Sequence, residues 1–327
     1  MPVTVKIEDK AKKQAAQTIA AAPDLSDYAA QDEVSEGKKA FLIWFIAMLL
    51  LSVVLAAVPN MQIVGMVILV WWIASSAAYF IFAPRAMRRR LEEQGSEIRI
   101  AAKNQPRLHT LLSKGSAMIG VTEPAGFLVD EPFSQVRILN SGKANENFVI
   151  ITQAACDLLQ PPELDCLVIR ALIHARQNHV RRLMIVQILA DTPPLMRVLA
   201  WPVAFYANLL RMSWSDLAEQ TADRLALLVI KHEKLLMSAL LKQFSSSDPL
   251  MRENNVTTEE IDSYISQGGK IDMTGSTVST DYKIGSSIQA NPYLEERVNA
   301  LRLWAGSKEF RAALQKLAEA KSKVEAK

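Results

Sequence analysis

Two apolar runs separated by two residues constrain this chain more than any other feature. Ala40–Val58 (AFLIWFIAMLLLSVVLAAV) and Met61–Ala83 contain no charged side chain, and only Pro59 and Asn60 stand between them. Each run can cross a hydrocarbon core of roughly 30 Å at about 1.5 Å per helical residue. A link that short can only reverse the chain, so the pair predicts a transmembrane helical hairpin over 40–83. Lys38 and Lys39 precede it, Arg85, Arg88, Arg89 and Arg90 follow it, and the turn is uncharged. The positive-inside rule then puts both long flanks on the cytoplasmic side, with a bacterial inner membrane as the expected setting. A cleavable signal peptide would start near the N-terminus and would lack the second run.

With the hairpin set apart, all 37 basic and 34 acidic residues fall in the rest of the chain, at about the one-quarter charge density of a globular domain. That excludes disorder for most of it. Two cysteines, Cys156 and Cys166, exclude a disulfide scaffold. A net charge of +3 is too small to imply nucleic acid, and the Arg85–Arg90 cluster reads as a basic juxtamembrane connector, over 84–103, set against anionic head groups of the lipid bilayer. Residues 1–39 are poor in large apolar side chains and read as a mobile cytoplasmic tail.

Residues 104–327 read as one cytoplasmic domain, mainly α with a small β-sheet. Asn104–Lys114 has helical spacing, with Leu108, Leu111 and Leu112 on one face. Gly126–Asp130, Val136–Asn140 and Phe148–Thr152 are β-type runs separated by turn-rich stretches, which suggests a small sheet or meander. Thr152–Leu159 reads as a short helix. A long helix follows from Glu163 to about Leu189, its core face carried by Leu164, Leu167, Val168, Ala171 and Leu172. Leu195–Leu210 is apolar but interrupted by Arg197 and Pro202, so it either packs against the domain or re-enters the bilayer. Trp214–Gln243 and Leu294–Leu317 read as amphipathic helices, and 245–290 as a polar surface loop. Gln267–Lys270 (QGGK) lacks the strand–loop–helix setting of a phosphate loop. Neither cysteine has a neighbouring histidine, and His109 and His232 show no partner in sequence.

The order of parts carries a resemblance. Asn140–Ser141 precedes a strand, Ala171–His179 (ALIHARQNH) bears histidines on a helix, Glu219–Ala226 (EQTADRLA) has Glu-x-x-Ala-Asp, and Asn291–Leu301 (NPYLEERVNAL) has Pro-x-x-x-Glu-Arg. Behind two N-terminal spans, this series resembles the HtpX-like membrane zinc metallopeptidases, a gluzincin family. The resemblance implies a zincin-like fold, with Glu219 at the third zinc-ligand position and with Asp223, Pro292, Glu296 and Arg297 supporting the fold.

Activity in that family rests on His-Glu-x-x-His. Residues four apart on a helix are offset by only about 40°, so two imidazoles reach one Zn²⁺, and the intervening carboxylate acts as general base on the metal-bound water. Here the helix departs from the pattern. With His174 as first ligand, Ala175 takes the base position and Asn178 the second ligand. With His179 as second ligand, Ala175 takes the first ligand and Arg176 the base position. Each register keeps one imidazole and loses the carboxylate. His174 and His179 are five apart, roughly 140° round a helix, and converge only if a π-bulge intervenes. The expectation is therefore no catalytic residue, no cofactor and no metal, with His174, Asn178, His179 and Glu219 as relic positions. Glu219 is expected to pair with a cation, Arg176 being the nearest candidate, because a buried carboxylate without a metal needs one. Asp223 and Arg224 are expected in structural ion pairs.

These readings predict a membrane-anchored, catalytically inactive homologue of a zinc metallopeptidase that binds or regulates other proteins. Membrane proteins or a related peptidase are the expected partners, in a homo- or hetero-oligomer. The cleft of such a fold offers an edge strand for β-addition, Phe148–Thr152 or Val136–Asn140, which needs no metal. The alternatives are an active zinc metalloendopeptidase with an atypical site, and a non-enzymatic component of a membrane assembly that uses the 245–290 loop or the tail.

Overall fold

A computed structural model describes residues 28–29, 32–93, 97–140, 146–191, 200–266 and 292–325. The two apolar runs form α1 (Glu33–Ala57) and α2 (Gln62–Glu93), joined by a turn in which Asn60 is left-handed, with φ 64°. Both are long and apolar enough to cross a membrane. Gly65 explains how closely they approach beside the turn: a Cβ there would lie 2.6 Å from Ala56 N and 2.8 Å from Ser52 O. Away from this seam Leu42, Ile43, Ile63 and Val70 are exposed, a contiguous apolar surface that calls for a bilayer or another apolar cover. The predicted tail is too long at its C-terminal end, because 33–39 belong to α1 and Glu33 is buried. Residues 1–27 lie outside the described residues.

The connector read as merely basic supplies the first strand, β1 (Glu97–Arg99). Then come α3 (Pro106–Ile119), β2 (Ala125–Val129), β3 (Val136–Asn140) and β4 (Asn147–Thr152). The sheet order is β1-β2-β4-β3, with β1 antiparallel to β2, β2 parallel to β4 and β3 antiparallel to β4. The expected small sheet is present but is not a meander, and Phe148–Thr152 is interior instead of an edge. Its composition explains this: Val149, Ile150 and Ile151 are fully buried, as a continuous apolar run requires when both faces of a strand are covered. β3, which carries Arg137, takes the edge.

Thr152 Oγ1 accepts from Ala155 N and caps α4 (Gln153–Leu158). The main core helix, α5 (Pro161–Arg176), begins at the Pro161–Pro162 pair, with Glu163 accepting from Gln160 N at 2.8 Å. It packs Leu164, Leu167, Val168, Ala171 and Leu172 against the sheet and its neighbours. It stops at Arg176 instead of running to Leu189. His179 N donates back to His174 O at 3.0 Å and Asn178 adopts φ 58°, the closure that ends helices with a left-handed Gly or Asn. The chain resumes as α6 (Val180–Asp191).

After 192–199, outside the described residues, come α7 (Trp201–Ser213), α8 (Ser215–Ile230) and α9 (Glu233–Ser247). The single helix expected over 214–243 is thus two, split where Lys231 is left-handed at φ 61°. The first part of the expected polar loop is helical, as α10 (Pro249–Glu253) and α11 (Thr258–Ser266), while 267–291, including Gln267–Lys270, lie outside the described residues. The last predicted helix is also two, α12 (Pro292–Gly306) and α13 (Lys308–Glu325). Ser307 Oγ accepts from Phe310 N at 3.0 Å and starts the second.

Two large apolar clusters organise the chain, with a smaller one of Val129, Leu139, Phe148, Ile150 and Met184 between the sheet and α6. One joins the sheet to α3, α5, α8, α9, α11 and α12. The other joins α1 and α2 to α6, α7 and the start of α8 through Trp44, Trp72, Val203, Tyr206, Leu210 and Trp214. The part of Leu195–Leu210 that is described therefore packs along the hairpin. Trp44 Nε1 fixes it by donating to Pro202 O at 2.7 Å.

Candidate functional site

Three helices bring five charged or titratable side chains together. Arg170 and His174 come from α5, Glu219 and Asp223 from α8, and Arg297 from α12. Arg170 Nη2 donates to Glu219 Oε2, and its Nε donates to Asp223 Oδ1 at 2.6 Å. Arg297 donates to Asp223 from both Nε and Nη2 at 2.9 Å and lies 3.5 Å from Glu219 Oε2 through Nη1. His174 Nε2 stands 3.8 Å from Glu219 Oε1. The expected cation beside Glu219 is present, but it is Arg170, with Arg297 behind it. Arg176 points elsewhere and donates to Gly120 O at 2.9 Å.

This geometry selects a register that neither assignment above considered. Arg170 and His174 are four apart, share one helix face and both address Glu219. Set against a His-Glu-x-x-His pattern with His174 as its second histidine, Arg170 would fall at the first ligand position and Ala171 at the base position. Ala175 is half-buried against the core, and Asn178 is exposed in the left-handed turn.

His179 does meet His174, contrary to the straight-helix argument. The turn at Asn178 swings it back so that the two Nδ1 atoms lie 3.1 Å apart, with the rings edge to face at 66°. Helix termination, and not a π-bulge, brings them together. On its other side His179 Nε2 lies 2.9 Å from Glu33 Oε1. Glu33 also accepts from Thr221 Oγ1 at 2.8 Å and from Trp214 Nε1 at 3.2 Å. A buried chain of groups therefore runs from Glu219 through His174 and His179 to the first turn of the membrane-type helix α1.

Burial pushes the His174 imidazole well below its usual range, and Arg170, His179 and Arg297 add to the effect against the pull of Glu219. It is neutral at pH 7, one Nδ1 of the histidine pair donating and the other accepting. Burial opposes ionisation of Glu219, yet Arg170, His174 and Arg297 hold its carboxyl far below the usual carboxylate range. Burial likewise disfavours the charged form of Arg170, but Glu219 and Asp223 more than offset it.

The cluster faces a cleft of about 690 Å³ whose other walls are the β3 segment from Gln135 to Ile138, the α6–α7 pair and α9, through Leu240, Gln243, Phe244 and Ser247. Since Thr152 N donates to Gln135 O, the alternation of an antiparallel ladder aims the N–H and C=O groups of Val136 and Ile138 away from β4. No strand among the described residues pairs with this side of β3, and it forms part of the cleft wall.

The other sequence candidates lie apart. Asp223 is the structural pair expected, although with Arg170 and Arg297; Arg224 lies over the Trp304 ring at 5.5 Å. Glu296 accepts from Gln220 Nε2 at 2.9 Å, and Pro292 opens α12. Asn140 ties β3 to β4 through Asn147 Oδ1 at 2.9 Å; Ser141 is outside the described residues. His109 stands 3.9 Å from Glu123 at the surface, and His232 caps α9 by accepting from Leu235 N. Both thiols are free, and burial pushes that of Cys166 up to about 12. Sequence reasoning missed Arg170 and Glu33. The first was visible in its spacing from His174. The second was visible in a stripe, Glu33, Gly37, Ala40, Trp44 and Met48, that continues the buried face of α1 below the apolar run.

The chain is 24% identical over 238 residues to the plastoglobule-localized metallopeptidase 48, chloroplastic, of Arabidopsis thaliana, a match that covers 72% of this chain and 67% of that protein. No family model and no solved structure matches it. The similarity supports a metallopeptidase-like relationship, though weakly at this identity. A peptidase zinc centre needs three protein donors and an open position. The residues present do not fit one: Glu219 is engaged by a guanidinium, His174 is the only imidazole on that helix face, and His179 gives its second nitrogen to Glu33. Among the described residues no group of three or more His, Cys, Asp or Glu side chains is arranged to hold a metal ion.

Proposed function

We propose that this protein is a membrane-anchored relative of zinc metallopeptidases, of the HtpX-like kind, that does not hydrolyse peptides and instead binds proteins at the cytoplasmic face of a membrane. The observation that carries this reading is Arg170: its guanidinium holds Glu219 and Asp223 where a metal-ligating imidazole would be needed, and Ala171 offers no carboxylate to activate water. Loss of a general base alone forfeits about 10²–10⁴ in rate. What the cleft retains is a strand edge. Val136 and Ile138 present outward N–H and C=O groups, and an extended peptide can add to such an edge by main-chain hydrogen bonds without a metal. Membrane proteins and a related peptidase are the partners this reading favours, and two helices that can span a bilayer fit it.

The test is metal analysis together with a peptidase assay on protein purified from membranes without chelators. The reading expects zinc well below one per chain and no chelator-sensitive cleavage of a casein substrate. Near-stoichiometric zinc that disappears on Glu219→Ala, with chelator-sensitive cleavage, would overturn it.

A further inference from the structure

The cleft has a direction. α7 runs antiparallel to α1, because Pro202 O at its start accepts from Trp44 Nε1 while Trp214 just past its end stands against Glu33 and Gly37. Tyr206 lies between the rings of Phe41 and Trp44, with centroids 6.1 and 5.2 Å away. Ala204 and Ala207, which line the cleft, are therefore level with the first turns of the uncharged run that begins at Ala40. Leu183 and Val186 of α6 line the same end. Arg211, three residues before Trp214, lies about 4.5 Å along the helix axis from it, roughly a turn outside Ala40. The wall thus passes from apolar at bilayer level, through Arg211, to the Arg170–Glu219–Arg297 cluster.

The charges along this wall do not cancel. Arg137 is held by Glu131 at 2.7 Å, and Arg170 and Arg297 share Glu219 and Asp223. Arg211, which also lines the cleft, has no carboxylate within ion-pair distance among the described residues. The surplus positive charge sits at the rim of a groove that β3 also lines, its outer edge unpaired among the described residues.

We infer that the cleft receives an extended juxtamembrane segment of a second membrane protein, which enters from the bilayer side with apolar residues and sets an acidic side chain beside Arg211. This rests on the reading of the hairpin as bilayer-embedded and of the cleft as a non-hydrolytic binding site. The apolar end accepts the residues that leave the membrane, β3 supplies main-chain pairing, and Arg211 supplies the choice between an acidic and a basic side chain, as one unmatched charge in a partly enclosed groove does.

The probe is a synthetic peptide with one apolar helix of about 20 residues followed by a Thr/Val-rich extended segment bearing a single glutamate. It is compared with the same peptide bearing lysine, and binding to the full-length protein is followed by energy transfer in phosphatidylcholine vesicles. The glutamate probe is expected to half-saturate at about tenfold lower concentration than the lysine probe, and Arg211→Glu to abolish or reverse that preference. Arg211 is exposed, so this variant should unfold at the wild-type temperature. Ile138→Pro removes an outward N–H without breaking a bond to β4 and should weaken both probes while leaving the preference intact. Equal binding of the two probes, or a glutamate preference that survives Arg211→Glu, would overturn the inference. So would loss of the preference on adding phosphatidylserine to the vesicles, which would make Arg211 a head-group site. Chelator-sensitive cutting of the probe would instead overturn the non-hydrolytic reading, and the binding preference would still decide the assignment of Arg211.

Discussion

The two ends of α5 each bury a set of charges, and the difference between them separates scaffold from site. At the N-terminal end Glu163 Oε1 accepts from Lys242 Nζ at 2.7 Å and from Ser238 Oγ at 2.5 Å, while Lys242 also reaches Asp262 at 2.8 Å. Lys242 is 2% exposed and Glu163 3%, and of the three only Asp262, at 47%, reaches the surface, so the Glu163–Lys242 pair itself is closed off. At the C-terminal end Arg170, Glu219, Asp223 and Arg297 are as fully paired, but Glu219 is 19% exposed and the set lines a cleft beside an open strand edge. The same chemistry, a paired carboxylate, is a closed lock in one place and the wall of a binding groove in the other. Room beside the charges, and not their burial, distinguishes the two.

Breaking the closed end should cost most. Lys242→Met strands Glu163 in the core and is expected to destabilise by about 3–5 kcal/mol, read as a fall in unfolding temperature in detergent, with probe binding at the cleft unchanged at temperatures below the transition. Arg170→Met leaves Asp223 with Arg297 and leaves Glu219 partly solvated, so a smaller loss of about 2–3 kcal/mol is expected. If Arg170→Met cost more than Lys242→Met, the open cluster would be the greater structural lock and the comparison would invert.

A subtler difference lies in pH dependence. The folded state keeps His174 neutral, whereas the unfolded chain takes up a proton near the usual pKa of about 6.5. The group therefore contributes stability above about pH 6.5 that is lost as pH falls toward its lower folded value, at up to about 1.4 kcal/mol per pH unit. His174→Asn should flatten the dependence of unfolding temperature between about pH 6.5 and 5. Glu219 has a depressed folded pKa, so its contribution is present above its unfolded value and is lost at lower pH, below about 4.3. The smallest effect belongs to a pair outside both clusters, Arg107–Asp165, which is 47% and 44% exposed. Asp165→Asn should change stability by less than about 1 kcal/mol, and a larger change would mean that exposure is a poor guide to the worth of these pairs.

Much of the framework could be read from sequence because it depends on local patterns. The hairpin, β2 to β4, α4 and the core face of α5 follow from apolar spacing, proline placement and a threonine cap. Two of the missed breaks share one cause: Asn178 and Lys231 take left-handed conformations, a state that Asn adopts readily and Lys rarely, so two long helices became four; the third break falls at Ser307, whose hydroxyl caps α13. The site was misread for the same reason. On a straight helix His174 and His179 diverge, and only the turn at Asn178 joins them. Arg170 has no place in a motif that starts at His174 or ends at His179, and enters only when His174 is the second histidine. Glu33 reads as part of a tail because the apolar run begins only at Ala40, although Gly37, Ala40 and Trp44, in phase with it, continue its helix face.

The central claim is that Arg170 and Ala171 stand where a zinc peptidase needs an imidazole and a carboxylate. It is tested most directly by zinc per chain after equilibrium dialysis, measured side by side on the wild-type protein and on R170H/A171E. The account predicts little or no zinc in the wild type and about one zinc per chain in the double variant, lost again on Glu219→Ala. Near-stoichiometric zinc in the wild type, abolished by Glu219→Ala, would contradict it.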